Sequence, residues 1–188
     1  RQCHAIAINE HSTPAHLQPK LANTIADYCA HNNSNPPVLH LSPTDPQRKH
    51  HSAGVGFISF NNTRIVPLNL ATENFKRAFE AGRAHIAYFP CDNETYFIIV
   101  TLYCFTGGHT NLEAQQQTDK LLRITTEELE QQPKCPTFIA MDLNADPDDI
   151  PHAAYMLHND AWTDLGAIGS SFGDVDEQPT CIAPNSHT

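Results

Sequence analysis

The stretch TFIAMDLNADPDD, residues 137–149, joins an apolar run to an acidic segment and decides how the rest of the chain is interpreted. The run predicts a buried strand that ends at Asp142-Leu143-Asn144. Because side chains alternate along a strand, Asp142 and Asn144 point to one side and Leu143 to the other. A carboxylate beside a neutral amide suits phosphoryl chemistry, since the acid takes a proton from water while the amide orients the attacked group.

The same motif also has a purely structural interpretation. Asn and Asp side chains after a strand commonly form Asx turns or cap the next helix, and a D-x-N motif taken alone is more often of this kind. A second strand also ends in a carboxylate. The segment HAIAIN, residues 4–9, is short and apolar, so it predicts a strand that ends at Glu10. A rigid sheet can hold such a carboxylate in place as a metal ligand.

The remaining sequence predicts strands and helices around one core. Helices are expected over 18–31 and 110–132 and within 71–82 and 148–160, and strands over 38–41, 53–60, 63–68, 83–89 and 95–105. Residues 161–168 predict a strand or turn, and everything from Gly169 onwards predicts loop. Hairpins together with helices that cover two faces indicate an α/β sandwich in a single domain over 1–188.

Composition and charge limit the function classes. With 188 residues, 40% hydrophobic and 17% charged, the chain fits an ordinary globular domain. A net charge of −10 disfavours broad attraction to nucleic acid or to an anionic membrane, although it permits a local basic patch. The basic cluster QRKHH, residues 47–51, contains Arg48 and is either a contact to a phosphate backbone or a solvated loop. The longest apolar run is about half the ~20 residues of a membrane span, and no signal peptide is visible, so we expect a soluble protein in an undefined compartment.

Cysteine and histidine patterns give little support for a transition-metal site. The six cysteines include no C-x-x-C pair, and their even number permits disulfides without implying them. Cys104 lies in a core-like run, where a buried free thiol is expected. None of the twelve histidines shows H-x-H or H-E-x-x-H spacing, so surface or turn positions are expected for them.

A succession of short motifs runs through nearly the whole chain. In order these are AINEH, GVGFIS, GRAHIAYF, FIIVTLYCFTGG, a long helix, FIAMDLNADPDDIP, AWTDL and PTC. Together they resemble the endonuclease/exonuclease/phosphatase superfamily, which includes DNase I-like nucleases and apurinic-site endonucleases. The resemblance implies a four-layered α/β sandwich of two mixed β-sheets flanked by helices.

The resemblance also implies roles for individual residues. Glu10 matches the glutamate that binds the catalytic divalent metal, Mg²⁺ or Mn²⁺, and Tyr103 matches the tyrosine that touches the scissile phosphate. Asp142 and Asn144 match the general base and the amide that orients the phosphate. From the sequence, Arg83 is either a substrate contact or half of a surface salt bridge. Asp164 is either a hydrogen-bonding partner behind the site or a turn residue.

Several features depart from the family pattern. Asn9 stands where the family usually has glutamine, and Met141 replaces a glycine, which we expect to crowd the strand end. The family's first strand and its final Arg-x-Asp-Tyr strand and Asp-His pair have no counterpart, and His187 lies too early to be that histidine. We therefore expect an internal fragment with weak or no activity alone, and a larger polyprotein of a mobile element is a candidate source of it.

Three functions remain open from the sequence. The first is a metal-dependent nuclease or phosphodiesterase acting on DNA or RNA, with Arg83 and Arg48 contacting the substrate. The second is a phosphatase of lipid or inositol phosphates on the same fold. The third is a catalytically inactive binding or structural module.

Overall fold

A computed structural model describes residues 4–45, 53–61, 63–91, 95–159 and 162–168. The strands are β1 (Ala5–Ile8), β2 (Val38–Leu41), β3 (Gly56–Ser59), β4 (Val66–Pro67), β5 (Ala84–Pro90), β6 (Tyr96–Tyr103) and β7 (Thr137–Asp142). The helices are α1 (Gln18–His31), α2 (Glu73–Glu80), α3 (Leu112–Glu130) and α4 (Pro151–Asn159). Short 3₁₀ turns occupy Ala15–Leu17 and Pro147–Asp149.

These elements confirm the predicted order of strands and helices, with adjustments at their ends. The strand predicted from residue 53 begins only at Gly56, because Ala53 and Gly54 have positive φ angles of 76° and 93° that do not fit an extended strand. Residues 165–168 form a turn rather than a strand. The loop predicted from Gly169 onwards lies outside the described residues.

The strands form two sheets. The first sheet has the order β1-β3-β2, and both pairings are antiparallel. The second has the order β4-β5-β6-β7, in which β6 and β7 are parallel and the other pairings antiparallel. The sequence predicts that both sheets are mixed. Among the described strands, only the second sheet combines parallel and antiparallel pairings. The parallel pair arises because α3 carries the chain back before β7 begins, as parallel strands require.

One face of the second sheet packs against helices. Alternate residues of β6, including Ile98, Val100 and Leu102, are buried there with Phe75 of α2 and Leu122 of α3. The helices α2 and α3 are held at their first turns by side-chain caps on Thr72 and Asn111, respectively. This layer gives β6 and β7 a rigid support on the side away from the first sheet.

The opposite face of the second sheet packs against the first sheet. A second core cluster there contains Phe57 of β3 and Phe89 of β5, whose rings meet edge to face at a centroid distance of 5.6 Å. Ala5 and Ala7 of β1 pack on the same cluster, together with Ile99 of β6. Because α1 contacts β2 of the first sheet, the layers run α1, first sheet, second sheet and then the remaining helices.

Within the described part of the chain, no helix combines the length and the apolar character that crossing a membrane requires. The four cysteines described there, Cys29, Cys91, Cys104 and Cys135, are free thiols. Cys104 is fully buried, as expected from its apolar strand, and burial raises the pKa of its thiol to about 12. At neutral pH this thiol is therefore protonated and unreactive.

Candidate functional site

Tyr103 and Asp142 are the last residues of two neighbouring parallel strands. The register pairs Tyr103 with Asp142 and, two residues earlier, Thr101 with Ala140. Ile99, on the same side of β6, belongs to the core between the sheets, so this series of side chains faces the first sheet. The tyrosine and the aspartate thus lie side by side at one edge of the sandwich.

A hydrogen bond connects the end of β1 to the same edge. The Thr101 hydroxyl, which is fully buried, donates to the side-chain carbonyl Oδ1 of Asn9 at 2.7 Å. Thr101 lies two residues before Tyr103, and Asn9 lies directly before Glu10. The strand end that carries Glu10 is therefore anchored next to the strand ends that carry Tyr103 and Asp142.

The loop after β1 is also tied to the segment that precedes β3. The amide of His11 donates to the carbonyl of Gly54 at 3.0 Å, and the amide of Ser12 donates to the carbonyl of Ala53 at 3.2 Å. Ala53 is fully buried and clusters with the ring of Tyr103. The chain on both sides of the predicted metal ligand is thus fixed against the tyrosine strand.

Strained backbone is concentrated around these strand ends. Glu10 has a φ of 56°, Ala53 of 76° and Asn144 of 56°, all in the left-handed region. Asn adopts this region readily, but Glu and Ala do so rarely. Such conformations persist where the surrounding structure enforces them, and they are common at functional sites.

The carboxylates of Glu10 and Asp142 are available for chemistry. Both residues are exposed, and no hydrogen bond or ion pair to their side chains is found across the described ranges. Asn144 donates from its side-chain amide to the main-chain carbonyl of Asp142 at 3.3 Å, which holds the amide beside the aspartate. The purely structural role, capping of the next turn, belongs to Asp146, four residues after Asp142. Its carboxylate accepts a hydrogen bond from the Asp148 amide at 3.0 Å. Capping is therefore done by Asp146 and not by Asp142.

Met141 lies on the opposite face of β7 from Asp142. It pairs with Leu102, whose side chain belongs to the helix-side core, and 39% of its surface is exposed. The crowding expected from Met141 is therefore directed away from the face that carries Asp142. This outcome follows from the alternation of side chains along a strand.

The two arginines predicted to contact substrate have different outcomes. Arg48 lies outside the described residues, so its predicted role stays a prediction. Arg83 is 5% exposed and donates from Nη1 to the main-chain carbonyls of Tyr103 and Cys104, each at 3.2 Å. Burial of this degree favours an internal role for Arg83 over a direct substrate contact.

Asp164 is exposed and accepts from the amide of Gly166 at 2.8 Å, as a turn residue does.

Three histidines lie on the sheet-to-sheet side of the same edge. His85 pairs with Thr101 across β5 and β6, and His11 and His40 lie close enough that protonation of either would further disfavour protonation of His85. Burial lowers the pKa of all three imidazoles, to about 4 for His85. At neutral pH they are therefore uncharged and give no electrostatic attraction to a phosphate.

The residues present fit only one mode of metal binding. No group of three or more His, Cys, Asp or Glu side chains that could enclose a metal is found in the described part of the chain. Mg²⁺, however, is commonly held by one or two carboxylates, with water and substrate phosphates completing its shell. The exposed and unengaged carboxylate of Glu10 fits this sparse mode.

Comparisons with known proteins give a structural match but no sequence match. No family model and no curated protein matches the chain. The catalytic domain of human nocturnin, solved with a bound sulfate anion, superposes with a TM-score of 0.54 at 13% sequence identity. The fold is DNase I-like. The match covers 92% of this chain and 63% of the nocturnin chain, so this chain spans less than two thirds of that structure.

Proposed function

We propose that this protein is a metal-dependent phosphodiesterase that cleaves the backbone of a nucleic acid. The observation that carries the proposal is the hydrogen bond between Thr101 and Asn9, because it anchors the strand end of Glu10 beside the paired ends of β6 and β7. The strand ends that carry Glu10, Tyr103 and Asp142 are thereby neighbours, and this arrangement supports the proposal. The endonuclease/exonuclease/phosphatase-type fold of the nocturnin catalytic domain supports this class of reaction.

The proposed chemistry divides the work among four side chains. Glu10 would hold a Mg²⁺ or Mn²⁺ ion, which when bound neutralises charge on the attacked phosphate. The Asp142 carboxylate accepts a proton from the attacking water as the new phosphorus–oxygen bond forms, the bond from phosphorus to the leaving ester oxygen breaks, and that oxygen takes a proton from solvent water. Asn144 and Tyr103 donate hydrogen bonds to the phosphate oxygens and orient the group for in-line attack.

A phosphate-containing substrate also has indirect support from the related structure. Nocturnin binds sulfate in its catalytic domain, and sulfate has the tetrahedral shape and charge of a phosphate group. For this chain a nucleic acid is the proposed substrate, and a lipid or inositol phosphate is the alternative on the same fold. With a net charge of −10, contact with a polyanion depends on a local basic patch, and the cluster that contains Arg48 is the candidate.

The proposal is tested by nicking of supercoiled plasmid in the presence of Mg²⁺. Asp142→Asn should lower the rate by on the order of 100-fold or more, because it removes the base while keeping the size of the side chain. Asp146→Asn is the matched control, since Asp146 caps a 3₁₀ turn only four residues away, and it should retain activity. Equal rates for the two variants would remove Asp142 from the mechanism.

The metal ligand is tested without relying on activity. Mn²⁺ binding followed by electron paramagnetic resonance should weaken in Glu10→Gln and remain unchanged in Glu113→Gln, an exposed glutamate of α3. If the wild-type protein binds Mn²⁺ and single-stranded nucleic acid but does not cleave it, the inactive binding module is the correct alternative. If it cleaves inositol phosphates and not plasmid, the phosphatase is correct.

A further inference from the structure

The side chain of Arg83 is built into the strand end that carries Tyr103. Its Nη1 donates to the main-chain carbonyls of Tyr103 and Cys104, each at 3.2 Å. These are the carbonyls at which β6 leaves the sheet and turns into the loop before α3. A planar guanidinium that bonds two successive carbonyls restricts the direction in which the chain leaves the strand.

The same guanidinium lies against two aromatic rings. The Cζ atom of Arg83 is 4.8 Å from the ring centroid of Tyr103 and 4.4 Å from that of Phe105. Both distances are within the range of a cation–π contact, which is stronger when the cation is removed from water. Because Arg83 is 5% exposed, the contacts form in a largely dehydrated setting. The ring of Tyr103 is thus held by the charged guanidinium of Arg83 and by packing with Ala53.

From this geometry we infer that Arg83 is a positioning residue that sets the orientation of the Tyr103 ring at the candidate active site. The catalytic consequence of this inference rests on the proposed function. The contact between Arg83 and Tyr103 does not depend on that function. Arg83 touches Tyr103 through its main chain as well, since the Tyr103 amide donates to the Arg83 carbonyl at 2.9 Å. That bond survives side-chain substitution, so the strand pairing is kept while the ring loses its support.

The orientation of the Tyr103 ring can be measured independently of catalysis. The chain has five tyrosines, so protein labelled with 3-fluorotyrosine gives five ¹⁹F resonances, and Tyr103→Phe assigns the one of interest. Arg83→Met removes the charge at similar length, and Arg83→Lys keeps the charge but loses the planar fork. We expect the Tyr103 resonance to move most in Arg83→Met and less in Arg83→Lys. The other four resonances should stay in place, which also shows that the variants are folded.

Catalysis provides the second measurement. With plasmid or an oligonucleotide as substrate, Arg83→Lys should lower kcat by about tenfold and Arg83→Met by up to about a hundredfold, with little change in KM. In a Tyr103→Phe background the same Arg83 substitutions should change kcat by less than about twofold if Arg83 acts through the tyrosine hydroxyl. A merely structural role would instead lower the rate equally in both backgrounds.

Each result supports or overturns the inference. A raised KM with unchanged kcat would make Arg83 a substrate contact, and an unmoved Tyr103 resonance in both variants would show that Arg83 does not orient the ring. If Arg83→Met fails to fold, Arg83→Lys decides by the same two measurements. If the wild-type protein shows no cleavage at all, the proposed function fails, whereas the ¹⁹F measurement still decides whether Arg83 positions Tyr103.

Discussion

Gly108 lies so close to Asn144 that the structure has no room for a side chain between them. A Cβ atom at Gly108 would lie 2.8 Å from the main-chain oxygen of Asn144 and 2.8 Å from the Cβ of Ala145. Both are backbone or near-backbone atoms that cannot rotate away. The loop after β6 and the loop after β7 are therefore in direct contact at the candidate site, and the position of each depends on the other.

Substitution of Gly108 by alanine should disturb the site through this contact. We expect Gly108→Ala to cost about 1–3 kcal/mol of unfolding free energy, as overpacking does, and to lower plasmid nicking by displacing Asn144. Gly166→Ala is the control, because among the described residues its Cβ would meet only a flexible carboxylate oxygen of Asp164 at 3.2 Å. Urea unfolding and nicking rates of the two variants measure the difference. Identical behaviour of the two would show that the loops do not constrain each other.

The hydrogen bond between Asn9 and Thr101 should couple stability to activity. Asn9→Ala leaves the buried Thr101 hydroxyl without its partner, at a cost of about 1–3 kcal/mol. A double-mutant cycle with Thr101→Val should give a coupling energy of about 0.5–1.5 kcal/mol. Asn9→Ala should also lower nicking, since Glu10 follows it directly. Asn23→Ala, at an exposed position of α1, should change neither quantity. A coupling energy near zero would mean that the bond does not anchor the strand end.

Local sequence patterns predict the strands of the candidate site, but not how those strands are joined. Apolar runs that stop at polar residues predict the ends of β1 and β7, whereas Tyr103 is predicted only by the family resemblance, and β6 ends at Tyr103 rather than at residue 105. The bond from Thr101 to Asn9 spans 92 positions and leaves no periodic signal, apart from a threonine within the apolar run of β6. The close packing at Gly108 likewise has only the paired glycines of FTGGHTN as a local sign.

Sequence reasoning predicts the face of the sheet on which a strand residue lies better than it predicts how deeply that residue is buried. Alternation with Asp142 is sufficient to place Met141 on the helix side, where it does not crowd the acid. Nothing in the local sequence distinguishes an exposed Arg83 from a buried one. Its burial results from tertiary contacts with Tyr103 and Phe105, whose rings come from the neighbouring strand and the loop after it.

His85 should make the protein sensitive to mild acid. Burial lowers the pKa of His85 to about 4, from an ordinary value of 6.5, and the imidazole packs edge to face on Phe57 and Phe79. Between these two values the unfolded chain binds a proton that the folded chain does not. The stabilising contribution is therefore complete above pH 6.5 and is lost as the pH falls towards 4.

Replacement of His85 by phenylalanine tests this contribution. From the pKa of about 4, the loss of stability between pH 7.5 and 5 due to this residue is on the order of 2 kcal/mol. Urea unfolding should show that His85→Phe reduces the pH dependence over this interval by about that amount. His16→Phe is the matched control at an exposed position and should leave the slope unchanged. An unchanged slope in His85→Phe would show that His85 is already protonated in the folded protein at pH 5.

Glu128 should give a second acid transition at lower pH. This carboxylate is fully buried, accepts from the amides of Ala71 and Thr72 at 2.7 Å each, and also accepts from the Thr72 hydroxyl and from Gln132 at 2.7 Å. Burial alone raises the pKa of Glu128, but these hydrogen bonds outweigh it, so the pKa lies below its ordinary value of 4.5. A lowered pKa means that the stabilisation is complete above pH 4.5 and is lost as the pH falls below it.

Because the carboxylate joins α3 to the residues that precede and cap α2, its removal should destabilise the helix side of the second sheet. We expect Glu128→Ala to cost about 3 kcal/mol at pH 7, since hydrogen bonds to a buried charge are lost and two amides are left unsatisfied. Glu128→Gln should cost less at pH 7 and should abolish the acid transition below pH 4.5. Glu127→Gln, one residue earlier and exposed, should do neither. Thermal unfolding across pH 3 to 7 separates these results, and an acid transition that persists in Glu128→Gln would assign it to another group.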